Sequence, residues 1–228
     1  MDWLGALASR IQEQVARQDR SIVAIAGPPG SGKSTLVDRL CKALNRQAAA
    51  EHAIIVPMDG FHFDNAVLER RGLLARKGAP ETFDCSGYRH ALERIRQNSG
   101  DVAIPVFDRE KDIAIAGAAI VGGQHKVILT EGNYLLLETS PWLELQGLFD
   151  LSIFLDVDMT VLEKRLVRRW LDYGLDEQAS RQRAMTNDVP NARLVIEHSC
   201  AADLTLTADD SGFQIDRWRP DADHKVSR

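Results

Sequence analysis

The stretch that most constrains this chain is Gly27-Pro28-Pro29-Gly30-Ser31-Gly32-Lys33-Ser34, entered from the apolar run Ile22 to Ala26 and followed by Thr35, Leu36, Val37 and Leu40 at helical spacing. It matches the phosphate-loop pattern of a glycine, four free positions and Gly-Lys-Ser. Glycines let successive backbone N–H groups turn onto a polyphosphate, and the helix start behind them adds the positive end of its dipole. Such loops bring their lysine to the β and γ phosphates and their hydroxyl to Mg²⁺. Lys33 and Ser34 are therefore the expected phosphate and metal contacts, within a nucleotide-binding stretch from Gly27 to Thr35. The strand before and the helix after argue against a surface turn that matches by chance.

At 228 residues and 44% hydrophobic content the chain is long enough for one sizeable α/β domain, and a second core would be cramped. A formal charge of −5 supplies no global basic field, so nucleic acid and membrane surfaces are not expected partners and a small molecule is. Cys41, Cys85 and Cys200 lie far apart without ligand spacing, and read as reduced, mainly buried thiols. No secretory leader and no membrane-length apolar run is evident, which predicts a cytoplasmic protein.

Along the chain, Leu4, Leu7, Ile11 and Val15 predict an amphipathic helix over 2–18. Apolar runs at 53–57, 127–130, 151–155 and 202–206 predict further buried strands. Three of them deliver acids at their carboxyl ends: Asp59, Glu131 and Asp156. Helices are expected near 67–74, 88–95, 158–173 and 191–199, a hairpin-like insertion over 102–121, and a polar mobile flap over 175–185. The tail from Asp209 is expected to fray. The alternation predicts a doubly wound, mostly parallel sheet flanked by helices: a single domain over 1–228 with a helical lid at about 163–186 and an acceptor-side insertion at about 60–122.

A phosphate loop alone says only that a nucleotide binds, so the other residues must identify the reaction. Transfer to an alcohol needs a carboxylate for the hydroxyl proton, and Asp59 is placed for it, with a turn cap before Gly60 as the alternative. Glu131 is placed as a ligand to Mg²⁺ or its water, against a plain strand-end carboxylate. Arg165, Arg168 and Arg169 resemble a phosphate-sensing lid; the competing reading is a solvated helix face with Arg168 and Asp172 as an ordinary pair. His62 is a candidate for the substrate pocket.

Asp59-Gly60-Phe61-His62, Arg76-Lys77-Gly78-x-Pro80-Glu81-x-x-Asp84, Pro105-Val106-Phe107 and Glu131-Gly132 together resemble bacterial-type pantothenate kinase, within the wider uridine kinase and phosphoribulokinase superfamily. The resemblance covers roughly residues 20–135. It implies a P-loop kinase fold using ATP and Mg²⁺, an acceptor-directed role for Asp59, and phosphate contacts from the lid arginines, matched here by Arg165, Arg168 or Arg169.

The chain departs from that pattern at Asp108-Arg109, at Asn133-Tyr134 and at Asn187-Asp188-x-Pro190-Asn191-Ala192-Arg193. There it looks more like the bacterial nucleoside/nucleotide kinase-like group, whose name also refers to a fructose transport system kinase. Asp59, His62, Arg76, Lys77, Asp108, Arg109 and Tyr134 are the acceptor-side candidates, an intra-loop salt bridge being the alternative for Asp108 and Arg109. The expected activity is ATP-dependent transfer of the γ-phosphoryl group to a hydroxyl of a sugar, nucleoside or pantothenate-like metabolite; a regulatory ATPase without an acceptor is the competing reading. ATP against GTP and the oligomeric state, a homodimer included, stay open.

Overall fold

The computed structural model describes residues 3–15, 19–209 and 212–218. Helix α1 (Trp3–Val15) precedes β1 (Ser21–Ala26), and the phosphate loop then leads into α2 (Lys33–Ala48). After β2 (Ala53–Pro57) come α3 (Asn65–Arg70), α4 (Cys85–Gln97) and the pair β3 (Val102–Asp108) and β4 (Ile113–Val121). The chain then returns through β5 (Val127–Gly132) and β6 (Leu151–Asp156) to α5 (Met159–Asp172), α6 (Glu177–Arg183) and α7 (Val189–His198), and ends on β7 (Leu204–Asp209) and β8 (Gly212–Trp218).

The main sheet has the order β2-β5-β1-β6-β7-β8, parallel except for β8. Every residue of β1 and β5 is buried, because helices cover both faces; this is why these strands read as continuous apolar runs. Side chains still alternate. Ile22, Ala24 and Ala26 join a core with Tyr88, Leu92 and Ile95 of α4. Val23 and Ile25 face Leu7 and Ile11 of α1 and Leu36, Leu40 and Leu44 of α2. The register sets Ile25 opposite Glu131, and Glu131 opposite Pro57. The three strands therefore end at one level, with the phosphate loop, Glu131 and the Asp59 turn side by side.

The insertion hairpin is a separate antiparallel pair, with Asp108 opposite Ile113. It packs on the Asp59 turn so closely that a Cβ on Gly60 would stand 2.3 Å from the Pro105 carbonyl oxygen. Only glycine lets β3 approach there.

Several expectations need correction. Of the tail expected to fray from Asp209, residues 212–218 form β8, antiparallel to β7, with Phe213 packed on Trp3 at 5.8 Å between ring centroids, while 210–211 and 219–228 lie outside the described residues. Gln214, Asp216 and Arg217 make this edge strand polar enough to read as loop. The polar stretch over 175–185 is mostly helical, which leaves the flap expectation standing: it holds α6, capped by Asp176, whose carboxylate accepts from the Ala179 N–H, and then the start of a π turn over Ala184–Asp188. Cys85 is buried, but Cys41 and Cys200 are only half-buried; all three thiols are free. No helix among the described residues is long and apolar enough to cross a membrane.

Candidate active site

Two cavities meet at the carboxyl ends of the strands. The first, of about 390 Å³, is bounded by Pro29, Gly30 and Gly32 to Thr35 of the loop, with Asp59, Arg109, Glu131 to Asn133, Arg165 and Arg169 around it. Gly32 holds φ +93°, a left-handed value that L side chains rarely adopt, so the loop can turn into α2 with its N–H groups inward.

The Lys33 ammonium donates to the carbonyls of Gly27 and Pro28, both at 2.9 Å, and to Asn133 Oδ1 at 2.8 Å. Burial pulls its pKa down to about 8, against the pull of Glu131 and Asp59 in the other direction. Burial, reinforced by the Asp59 charge, pushes Glu131 up to about 7, opposed by Lys33. Ser34 Oγ lies 3.5 Å from Glu131 Oε1. One hydroxyl and one under-neutralised carboxylate, all oxygen donors, suit a Mg²⁺ ion that keeps its waters and takes phosphate oxygens. Among the described residues no group of three or more His, Cys, Asp or Glu side chains forms a protein cage for a metal, so a magnesium here would rely on the nucleotide for its remaining ligands.

The second cavity, of about 580 Å³, shares Pro29, Asp59, Arg109, Asn133 and Arg169 with the first. One wall stacks His62 between Phe83 and Phe107, with centroids 3.9 and 4.8 Å apart. His62 Nδ1 lies 2.9 Å from the Asp59 carbonyl oxygen, and burial lowers the imidazole pKa, favouring the neutral ring. Lys77 stands at the far end, donating to Asn65 Oδ1 at 2.6 Å and paired with Asp112 at 2.8 Å. The opposite wall comes from the lid side: Trp170, Tyr173, Arg183, Asp188 and Asn191.

At the junction, Arg109 Nη2 donates to Asp59 Oδ2 at 2.9 Å. Helix α5 brings Arg165 to the loop, where Nη1 lies 3.4 Å from the Gly30 carbonyl oxygen, and Arg169, one turn on, faces both cavities.

Four candidates lie elsewhere. Arg168 lines neither cavity and pairs with Asp172 at 2.9 Å, because it sits about 100° round the helix from Arg169. Asp108 accepts from the N–H groups of Glu110 and Lys111 and pairs with Lys111 at 2.8 Å, so it closes the hairpin turn, and Arg109 alone of that dipeptide faces the site. Tyr134 is fully buried with its hydroxyl on the Gly78 carbonyl. Arg76 reaches Asn187 at 2.8 Å and lines neither cavity.

Asn133 was missed. Alternation carried past the end of β5 sets it beside Glu131 and turns Tyr134 into the core, which was the available signal. Asp112, Asp188 and Asn191 had no comparable signal beyond membership of a polar motif.

The Phosphoribulokinase / Uridine kinase family model matches residues 22–201. Protein YggC of Escherichia coli K12 is 35% identical over 201 residues, covering 88% of this chain and 83% of its own. A Schizosaccharomyces pombe protein provisionally named uridine kinase C227.14 is 33% identical, covering 88% of each. Among solved structures, a Silicibacter sp. TM1040 protein provisionally named a fructose transport system kinase superposes with a TM-score of 0.84 at 48% identity, covering 90% of this chain and 99% of the other. Pantothenate kinase of Enterococcus faecalis is 31% identical over 150 residues, about half of its length. With the phosphate loop, the parallel sheet and these relatives in agreement, the chain belongs to the phosphoribulokinase/uridine kinase family and is an ATP-dependent phosphotransferase of the P-loop kinase fold, with an alcohol group as acceptor.

Proposed function

We propose that the chain transfers the γ-phosphoryl group of ATP to a hydroxyl of a small metabolite held in the 580 Å³ cavity, within one kinase domain whose lid is built on α5 and α6. The observation that carries this reading is the position of Asp59, which lines both cavities at their junction. A donor phosphate on the loop and an acceptor hydroxyl in the second cavity would then meet at one carboxylate. A hydrolase needs only water at that point, so an organised second cavity argues against an ATPase without an acceptor.

In this reading the loop N–H groups and Lys33 hold the phosphates, and Asp59 accepts the hydroxyl proton as the acceptor oxygen attacks phosphorus. Ser34 and Glu131 would hold Mg²⁺, which when bound offsets phosphate charge. Arg165 and Arg169 close over the donor and stabilise the charge that develops during transfer. His62, Phe83 and Phe107 supply an apolar wall for the acceptor, and Lys77, Asp112 and Asn65 a polar end.

The test is a panel of sugars, nucleosides, pantothenate and glycerate with ATP, run on the wild type and on Asp59→Asn. The expected outcome is phosphorylation of one chemical class, falling about a thousandfold in the variant while ATP binding stays within about twofold. Near-normal turnover in Asp59→Asn overturns the base assignment. Steady ATP hydrolysis untouched by every acceptor overturns the transfer reading.

A further inference from the structure

The segment Asn187-Asp188-Val189-Pro190-Asn191 is left without a role by the proposed chemistry, yet its polar side chains are almost wholly buried: Asn187 is 1% exposed, Asp188 9% and Asn191 3%. Buried polar groups are tolerated when bonded, and their partners show what each one holds. Asn187 Oδ1 accepts from Arg76 Nη1 at 2.8 Å, and Asn187 Nδ2 donates to the Lys77 carbonyl at 2.9 Å. Asn191 Oδ1 takes the second Arg76 nitrogen at 3.4 Å. These bonds grip the Arg76-Lys77-Gly78 loop, whose Lys77 and Gly78 line the acceptor cavity.

The next residue grips something else. Asp188 Oδ2 accepts from Trp170 Nε1 at 2.6 Å, and Trp170 lies on α5 directly after Arg169 and five residues after Arg165. Arg183 joins the same two parts: Nη1 donates to the Ala75 carbonyl at 2.8 Å, while the guanidinium lies 5.2 Å from the Trp170 ring centroid. The backbone between Asn187 and Asp188 is the π turn Ala184–Asp188, a geometry found often at functional positions and one that re-aims successive side chains. One short turn therefore holds the acceptor loop with one side chain and the arginine-bearing helix with the next.

We propose that Asn187 and Asp188 are positioning residues that couple the acceptor loop, residues 73–82, to α5, so that seating a nucleotide under Arg165 and Arg169 also firms the acceptor wall. The inference rests on the kinase reading of the site, and its test does not depend on turnover. Coupling between two sites is reciprocal, so loosening either end must be felt at the other.

Two variants address the two ends. Asn187→Asp keeps an acceptor for Arg76 but loses the donor to the Lys77 carbonyl; Trp170→Phe removes the donor to Asp188 while keeping an aromatic ring under Arg183. Amide hydrogen exchange on the full chain is the measurement. Without ligand, Asn187→Asp is expected to speed exchange in 159–172, and Trp170→Phe in 73–82, each by about fivefold or more. Acceleration confined to the segment beside each substitution overturns the coupling.

With MgATP as the added compound, the wild type should slow exchange at both 27–35 and 73–82, and each variant should keep the first protection and lose the second. Protection of 73–82 that persists in both variants overturns the inference. Absence of protection at 27–35 in the wild type instead overturns the nucleotide site, so the two failures are distinguishable. If one variant does not fold, the other still reads the coupling from its own end.

Discussion

The proposed donor and acceptor sides of this molecule are built in different ways. The donor side is made mainly of backbone. One contiguous stretch, Gly27 to Thr35, supplies carbonyls for Lys33 and a helix start, and β1 and β5 fix it from underneath. The acceptor side is made of side chains from segments far apart in sequence: the Asp59 turn, the Arg76-Lys77-Gly78 loop, the tip of the β3–β4 hairpin, and the turn between α6 and α7. Backbone geometry tolerates most substitutions outside its glycines and its lysine. A wall of mutually bonded side chains can be re-cut one residue at a time, which suits a fold that serves several acceptors.

The strongest way to break this comparison is to damage each side once. Lys33→Met removes the proposed charge-assisted contact to phosphate and should weaken ATP binding by tens- to hundredfold, at about 2 to 3 kcal/mol. Asp59→Asn should leave ATP binding nearly unchanged while stopping transfer. Equal ATP losses in the two variants, measured calorimetrically, would show that the sides are not separable.

A smaller effect is expected from Gly60→Ala, which drives a methyl to 2.3 Å from the Pro105 carbonyl oxygen and must push the hairpin off the Asp59 turn. A stability loss of about 2 kcal/mol is expected, with turnover reduced more than ATP affinity. A normal melting curve with normal turnover would mean that β3 has room to move.

Glu131 sharpens the donor half through pH. Its folded-state pKa, about 7, lies above the ordinary value of 4.5. Its relative contribution to stability is therefore present below about 4.5 and is lost as pH rises through about 7. Glu131→Gln should raise the melting temperature of the ligand-free protein by a few degrees at about pH 8 and not at about pH 5. Magnesium needs the charged carboxylate, so MgATP affinity of the wild type should rise by up to about tenfold from about pH 6 to 8, beyond the rise in Glu131→Gln. Parallel pH curves for the two proteins would remove Glu131 from the metal site.

Tyr134→Phe deletes the hydroxyl on the Gly78 carbonyl, a bond that braces the acceptor wall from behind, and should cost about 1 kcal/mol with the loss mainly in acceptor KM. A kcat defect with unchanged acceptor KM would contradict that bracing role. Arg168→Ala, whose partner is the exposed Asp172, should change stability by less than about 0.5 kcal/mol and leave both substrates' KM within about twofold. A large loss there would return Arg168 to the phosphate site.

Legibility in the sequence divides along the same line. The buried strands β1, β5 and β6 were readable as apolar runs because helices bury both their faces, and Lys33, Ser34 and Glu131 were readable because strand ends and loop spacing place them locally. Strand β8 was not readable, since Gln214, Asp216 and Arg217 make its sequence look like loop until Phe213 meets Trp3. Arg168 and Arg169 are adjacent in sequence and equal in chemistry; the rotation of α5 about its axis, set by Leu162 and Leu166 packing near Gly30, sends one outward and the other inward.

By itself the sequence determined the phosphate loop, the parallel α/β frame around it and the family, because each rests on short-range spacing of residue types that have few other uses. Only the tertiary structure decided which polar residues line the second cavity. Arg109 on Asp59, Asn133 on Lys33 and the Asn187–Asp188 turn between loop and lid all depend on contacts 18 to 111 residues apart, and no local pattern encodes which of two neighbouring polar side chains will turn toward a cavity enclosed by segments scattered from Pro29 to Asn191.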